Sequence, residues 1–475
     1  MEKEETIKNF IVYEEKSIKD TMRRIDENSF GIAFTADDNE RFTGLVTDGD
    51  IRRAILKGVP IEEKVKTITN KSPITLQGNE KIDKMAEALD KEKITKAIHR
   101  LGNLKVPVIN PEGRVSDIMI ISFKGGKLAY ESLFESSDTN LKNGCVKNVL
   151  VIGGAGYIGS VLTRKLLERG YNVRVFDNLL YGDEGVKELC GHQNFEMMSG
   201  DMRSMESVIE AIKGMDAVIL LAALVGDPAS SLNPQKTLEI NYHSTKMIAE
   251  ICKYYQINRF IFASSCSLYG KNDDIDRPLT EESPMNPLSL YARTKIESEK
   301  AVLNSIDENF SPTIFRMATI YGLSPRMRFD LVVNILAAKA QLEKQITIFG
   351  GEQYRPVIHV SDAADAYIKC LEAPIEKVRG KIFNLGSNSQ NYRIKEIGEL
   401  VKECMPEAEI KVQADKEDER SYRVSFDEIK RVLGFEANVS VQDAVKEIKE
   451  AIESGRFKDY TAKEYSNYKM LSVNP

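Results

Sequence analysis

Seven residues, Gly153-Gly154-Ala155-Gly156-Tyr157-Ile158-Gly159, restrict the folds open to this chain more than any other stretch. They stand between an apolar run, Asn148 to Ile152, and a segment from Ser160 to Arg169 whose apolar residues recur at helical spacing; a second apolar run, Val173 to Phe176, follows. Strand, glycine turn and helix in that order aim the N-terminus of a helix at whatever lies in front of it. Free N–H groups and the helix dipole suit a diphosphate there, and glycine lets the backbone approach it closely. Asp177 follows the second strand, 18 residues after Gly159. A carboxylate there accepts hydrogen bonds from ribose hydroxyls and repels a 2′-phosphate, which favours NAD over NADP. Asp201, after another short strand, stands where it can reach the adenine. Each carboxylate also has a plain reading, Asp177 as a loop cap and Asp201 as a helix N-cap.

Further apolar runs, Ala217 to Ala222, Arg259 to Ala263 and Thr313 to Arg316, alternate with helical segments. That alternation predicts an α/β fold with a parallel, doubly wound (Rossmann) sheet. Beyond Tyr321 the pattern becomes mixed, as expected of a smaller C-terminal substrate lobe. Charged residues (29%) balance to a net charge of −6 without a basic stripe, so nucleic acid is not an expected partner. The longest apolar run, Ala217 to Val225, is far short of the roughly 20 residues of a membrane helix, and Met1 to Glu5 carries no apolar signal core. Six cysteines stand singly and four histidines are scattered, so no metal site is expected, and a reducing, cytoplasmic setting is.

Tyr291-Ala292-Arg293-Thr294-Lys295 sets a phenol and an ammonium on one helix face. A lysine near a phenol stabilises the phenolate and lowers its pKa from about 10, giving a usable base. Tyr465 to Lys469 has the same spacing but follows no sheet, whereas Tyr291 comes after a strand ending in Ser264-Ser265, where a hydroxyl can bond the same substrate oxygen.

With GGAGYIGS, GDMRS, ILLAALVG, INYHSTKMI, FASSCSLYG, YARTK, FRMATIYG and YRPVIHVSDAADA in this order, residues 146 to about 450 resemble the extended short-chain dehydrogenase/reductases, the NAD-dependent epimerase/dehydratase branch. The resemblance implies Tyr291 as catalytic base, Lys295 on the nicotinamide ribose and Ser265 on the sugar hydroxyl. It implies a cofactor site of Gly153, Gly156, Tyr157, Ile158, Gly159, Asp177, Asn178, Asp201, Met202, Ala222, Ala223, Asn241 and Lys295. It also implies that Arg326, Arg328, Arg355 and Arg420 hold or close over the diphosphate of a nucleotide-sugar; any one could instead be a surface charge. Dehydratases of the family carry an Asp-Glu pair after the Ser/Thr for acid/base work. Here those positions are Cys266 and Ser267, so 4,6-dehydration is not expected. The reading is then a nucleotide-sugar epimerase that removes and returns a hydride at sugar carbon 4. The alternatives are a 4-dehydrogenase like the GDP-heptose group, which the stretches around Arg316 and Arg326 resemble, and a non-catalytic NAD sensor.

Upstream, Phe30 to Ala33 and Phe42 to Arg53 read strand, turn, strand, helix start, and Pro73 to Leu76, a helix from about Lys81 and Val106 to Ile109 repeat the plan. This resembles a tandem CBS module over 1–123, followed by a polar linker over 124–145 and the dehydrogenase-like domain over 146–475. The resemblance implies an adenine nucleotide at Thr47 and Asp50 that tunes the enzyme; simple helix capping is the other reading. The second copy has Met119 where the aspartate is expected. Both halves resemble families that pair, which implies a homodimer or homotetramer.

Overall fold

The computed structural model describes residues 7–28, 30–78, 94, 103–124, 127–132, 146–272, 274–307, 310–413 and 419–473. The chain divides into two compact units, Met1–Lys147 and Asn148–Pro475.

In the first unit, β1 (Ile11–Tyr13) pairs parallel with β2 (Ile32–Ala36), which pairs antiparallel with β3 (Phe42–Thr47). Helix α1 (Ile18–Asn28) joins β1 to β2, and α2 (Asp48–Leu56) leaves directly from β3. The strand pattern recurs: β4 (Leu76–Gln77) lies parallel to β5 (Asn103–Ile109), and β5 antiparallel to β6 (Val115–Lys124). The helix expected from Lys81 lies outside the described residues.

The second repeat ends differently. Strand β6 turns into β7 (Lys127–Ser132), its antiparallel neighbour, where the first repeat has α2. The expected linker therefore needs correction at 127–132, which is part of a four-stranded sheet. The polar character of the stretch hid this strand from the sequence reading. Ser132 Oγ fixes the end by donating to Asp117 at 2.8 Å. The rest of the expected linker, 133–145, lies outside the described residues.

The second unit is built on seven parallel strands: β8 (Asn148–Ile152), β9 (Asn172–Asp177), β10 (Phe195–Ser199), β11 (Ala217–Leu220), β12 (Arg259–Ser265), β13 (Ser311–Met317) and β17 (Ile382–Leu385). Their order, β10-β9-β8-β11-β12-β13-β17, reverses direction beside β8, and ligands bind outside the strand ends at such a switch point. Strand β11 is buried along its length, as a central parallel strand covered on both faces must be. Helices α3 (Tyr157–Glu168), α4 (Met205–Ile212), α5 (Asp227–Leu232), α6 (Ser244–Tyr254) and α7 (Leu290–Asn304) connect strands of this sheet.

The smaller lobe carries β14 (Thr319–Tyr321), β16 (Tyr354–His359) and β18 (Asn391–Arg393) in one sheet, and β15 (Gln345–Phe349) with β19 (Glu409–Gln413) in another. Helices α8 (Val332–Glu343), α10 (Ile394–Cys404) and α11 (Val441–Glu453) pack together there, while α9 (Val360–Glu372) covers α3. The chain then returns: α12 (Asn467–Val473) packs on α5, with Leu471 buried in the main core. No helix among the described residues is long and apolar enough to cross a membrane.

Candidate active site

A cleft of about 870 Å³ lies at the carboxyl ends of the strands, between the sheet and the smaller lobe. Its floor begins at the glycine turn. Gly153 has φ +87°, and a Cβ there would sit 2.6 Å from the Ala222 nitrogen; a Cβ on Gly159 would sit 2.3 Å from the Gly153 oxygen. Side chains are thus excluded where a ligand's backbone neighbours must come close. Gly156 caps α3 with no side chain, which leaves the first-turn N–H groups for an anion. Gly153, Gly156, Tyr157, Ile158, Gly159, Asp177, Asn178, Asp201, Met202, Ala222 and Ala223 all line the cleft.

Asp177 is half-buried at the end of β9. Its carboxylate accepts from Ala155 N at 3.1 Å and Leu179 N at 2.9 Å, which fixes its orientation. Burial raises its pKa, and those backbone donors and the field of Arg326 oppose the rise. Asp201 is held by Arg203, with Nη2 at 2.7 Å and Nε at 3.0 and 3.1 Å, and this pairing lowers its pKa. Ser204, not Asp201, caps the following helix.

Asn241 stands apart from this set: it does not line the cleft, and its contacts are those of a structural asparagine. It is buried behind the cleft wall, where its Oδ1 accepts from Leu224 N at 2.8 Å and its Nδ2 donates to Leu224 O at 3.0 Å. A second contact to Thr294 Oγ1 ties that wall to α7. It shapes the cleft without entering it.

Ser289 caps α7 by accepting from Ala292 N, which aims the first turn at the end of β12. Ser265, Tyr291 and Lys295 therefore meet in the cleft. Tyr291 is 9% and Lys295 3% exposed. Lys295 Nζ donates to Ala263 O at 2.7 Å and stands 5.8 Å from the Tyr291 ring centre. Burial pushes the Tyr291 hydroxyl up to about 12, with the Ser265 hydrogen bond acting the other way, and pushes Lys295 down to about 7, which Glu299 opposes. The expected lowering of the phenol by lysine is thus absent. The same dry surroundings that make charge valuable in the site discourage both charged forms.

The four arginines do not form one group. Arg326 lies over the Tyr181 ring at 4.5 Å. Arg328 pairs with Asp330 at 2.8 Å. Arg355 donates to Tyr354 O at 2.8 Å and to Arg420 O, and Arg420 pairs with Asp227 at 2.5 Å. All four line the cleft. Sequence reasoning missed Tyr181, Asp227 and Asn467. Asp227 begins α5 ahead of Pro228, a visible helix start. Asn467 falls in the Tyr465–Lys469 stretch that follows no strand; it enters the cleft because α12 returns across α5, and its buried Oδ1 has no partner among the described residues. Ser267 Oγ is likewise buried in the cleft and unpartnered. Behind the site, Glu299 and Arg316 form a buried pair at 2.8 Å, joined by Ser264 at 2.5 Å.

In the first unit, Thr47 caps α2. Thr47 N and Oγ1 donate to Asp50 Oδ2 at 2.9 and 2.6 Å, and Arg53 donates to Oδ1 at 2.7 Å. The capping reading is realised here, and a nucleotide at Asp50 would have to displace these partners.

The profile of the NAD dependent epimerase/dehydratase family matches residues 149–386, half of the chain, and that of the CBS domain matches residues 6–57, the first repeat alone. A UDP-glucose 4-epimerase of Bacillus subtilis (strain 168) is 29% identical over 265 residues, 51% of this chain and 77% of that one. UDP-glucuronic acid decarboxylase 1 of Xenopus tropicalis is 28% identical over 310 residues, 63% of this chain and 70% of that one. Among solved structures, MoeE5 in complex with UDP-glucose and NAD is similar at 27% identity and a TM-score of 0.56, across 65% of this chain and 99% of that one. With its glycine cradle, its Tyr291–Lys295 pair and this match, the chain belongs to the NAD dependent epimerase/dehydratase family, with a CBS domain at its N-terminus.

Proposed function

We propose that this protein is an NAD-dependent nucleotide-sugar 4-epimerase. One observation narrows the choice within the family by setting dehydration aside: the two positions after Ser265 offer no acid to the cleft. The Cys266 thiol is turned away, donating to Arg316 O at 3.1 Å, and burial raises its pKa far above the ordinary thiol range. Ser267 presents a hydroxyl, which does not perform the proton abstraction that expelling water requires. The resemblance to a UDP-glucose 4-epimerase supports the same reading.

The residues present fit NAD. Gly153 and Gly159 exclude side chains from the turn, α3 offers uncapped N–H groups, and Asp177, bonded to Ala155 N of that turn, is the carboxylate that would accept from the ribose hydroxyls. Bound there, NAD supplies a hydride acceptor and a positively charged ring. Tyr291 takes the proton of the carbon-4 hydroxyl, and Ser265 hydrogen-bonds the same oxygen. Lys295, buried beside Tyr291 on the same helix, would hold the nicotinamide ribose, as the resemblance implies. The keto-sugar turns in the cleft and is reduced on its other face, with Tyr291 returning the proton. Arg355 and Arg420, which line the same cleft, hold the nucleotide-sugar diphosphate.

Around this core the reading adds a reducing, cytoplasmic setting, supported by five unpaired cysteines among the described residues. It adds a homodimer or homotetramer, supported by the apolar hollow beside Met205 and the 79%-exposed Tyr254. It also adds tuning by an adenine nucleotide at Thr47 and Asp50. The experiment is a screen of UDP-, GDP-, CDP- and dTDP-sugars, with products resolved by chromatography and NMR. A carbon-4 epimer without net NADH supports the proposal. Stoichiometric NADH would identify a 4-dehydrogenase, and loss of water from the sugar would contradict the argument from Cys266 and Ser267.

A further inference from the structure

Arg326 is 4% exposed, yet its Nε and Nη2 are buried with no hydrogen-bond partner, and no carboxylate lies within 4 Å of it among the described residues. A buried guanidinium left open in this way is costly, because its lost hydration is not replaced. Arg328, two residues on, has the opposite arrangement, closed by Asp330. The open donors of Arg326 belong to a residue that lines the cleft, within reach of an anionic ligand bound there.

Its position identifies which anion. The guanidinium lies on the ring of Tyr181, four residues beyond Asp177 on the loop leaving β9. The segment that carries it is fastened to the first turn of α3, the helix opened by the glycine turn. Tyr157 Oη donates to Gly322 O at 2.5 Å, and Ser324 Oγ donates to Tyr157 O at 2.7 Å. Asn334 Nδ2 donates both to Tyr157 Oη at 3.0 Å and to Arg328 O at 2.8 Å, closing the loop from behind. Arg326 is thereby fixed relative to the uncapped N-terminus of α3, whereas Arg355 and Arg420 are engaged with each other and with Asp227.

We propose that Arg326 binds the diphosphate of the NAD cofactor, from the side opposite the glycine turn, and is not a sugar-nucleotide arginine. This rests on the cofactor reading given above. The diphosphate then lies between two positive elements, the N–H groups of α3 and a planar guanidinium already oriented by Tyr181. Because Arg326 belongs to the smaller lobe, cofactor binding engages both lobes of the unit.

The test uses full-length protein freed of co-purified nucleotide, as wild type, Arg326→Gln and Arg326→Lys. Calorimetry measures NAD, NADP and UDP separately, and thermal melts are recorded with and without NAD. Arg326→Gln should weaken NAD at least about 10-fold, the scale of a lost charge-assisted hydrogen bond, and leave UDP unchanged. Arg326→Lys, which keeps the charge, should recover part of the loss and serves if the glutamine variant does not fold. The ligand-free glutamine variant should melt no lower than wild type, since it removes an uncompensated charge, but should gain less from NAD. Weakened UDP binding with NAD unchanged would overturn the proposal in favour of a substrate arginine. Tighter NADP than NAD in wild type, lost in the variant, would overturn it in favour of a 2′-phosphate site. Wild type that binds no NAD would overturn the cofactor reading itself.

Discussion

Tyr291 and Lys295 illustrate how burial and charge compete at a single contact. Replacing Tyr291 with Phe should leave NAD binding intact and lower turnover at least about 100-fold, the scale of a lost general base; steady-state rates and a cofactor titration check both halves. The pair also predicts a stability profile. Lys295 has a folded pKa of about 7 against an ordinary 10.5, so between those values the unfolded chain binds more protons and stability rises with pH. Tyr291 is raised from 10 to about 12, so stability falls as pH climbs through that range. Below neutral pH the cost of the buried ammonium is present in full. Lys295→Met should therefore flatten the rise between neutral pH and about pH 9.5 in urea midpoints. An unaltered rise would place it on other groups. At Asp177 the expectation is selectivity: NAD should bind well ahead of NADP, and equal affinities in a titration would remove that role from the carboxylate.

Elements decide which residues the sequence reveals. The glycine turn and its two strands are local in the chain, so the strand–turn–helix floor of the cleft was legible from 148 to 177, and the spacing of Tyr291 and Lys295 was legible because one helix carries both. What was not legible depends on where the chain returns. Asn467 enters the cleft because Phe329 N donates to Tyr465 O, and Phe329 packs among Phe457, Tyr460 and Tyr465, far apart in sequence. Strand β7 was hidden by polar composition, and Asn241 matched a family segment while serving the wall behind the cleft. The Glu299–Arg316 pair was also invisible, since α7 and β13 meet only in the fold. Glu299→Leu would leave Arg316 buried without its carboxylate and should cost about 3–5 kcal/mol in urea denaturation. A smaller loss would mean that Tyr269 and the Glu281 carbonyl, at 3.0 and 2.9 Å from Arg316, suffice to hold it.

At the scale of the whole molecule the chain has two units: one with a CBS domain whose Thr47–Asp50 cap is intact, and a Rossmann unit whose cleft is lined by Ser265, Tyr291 and Lys295. An adenine nucleotide can change the enzyme only through a difference in its affinity for two states of the protein, and a coupling of about 1–3 kcal/mol would alter sugar-nucleotide affinity about 5- to 150-fold. Assays with AMP, ADP and ATP on wild type and Asp50→Ala check this; binding without any change in rate or affinity would leave the domain without that role. The central claim, that hydrogen leaves and returns at carbon 4 of one sugar, is tested most directly with a UDP-hexose deuterated at carbon 4, with the product examined by NMR and mass spectrometry. The expected product is the carbon-4 epimer with the deuterium still on that carbon and no net NADH. Deuterium found in accumulating NADH, beside a 4-keto-sugar that is never reduced, would contradict the account.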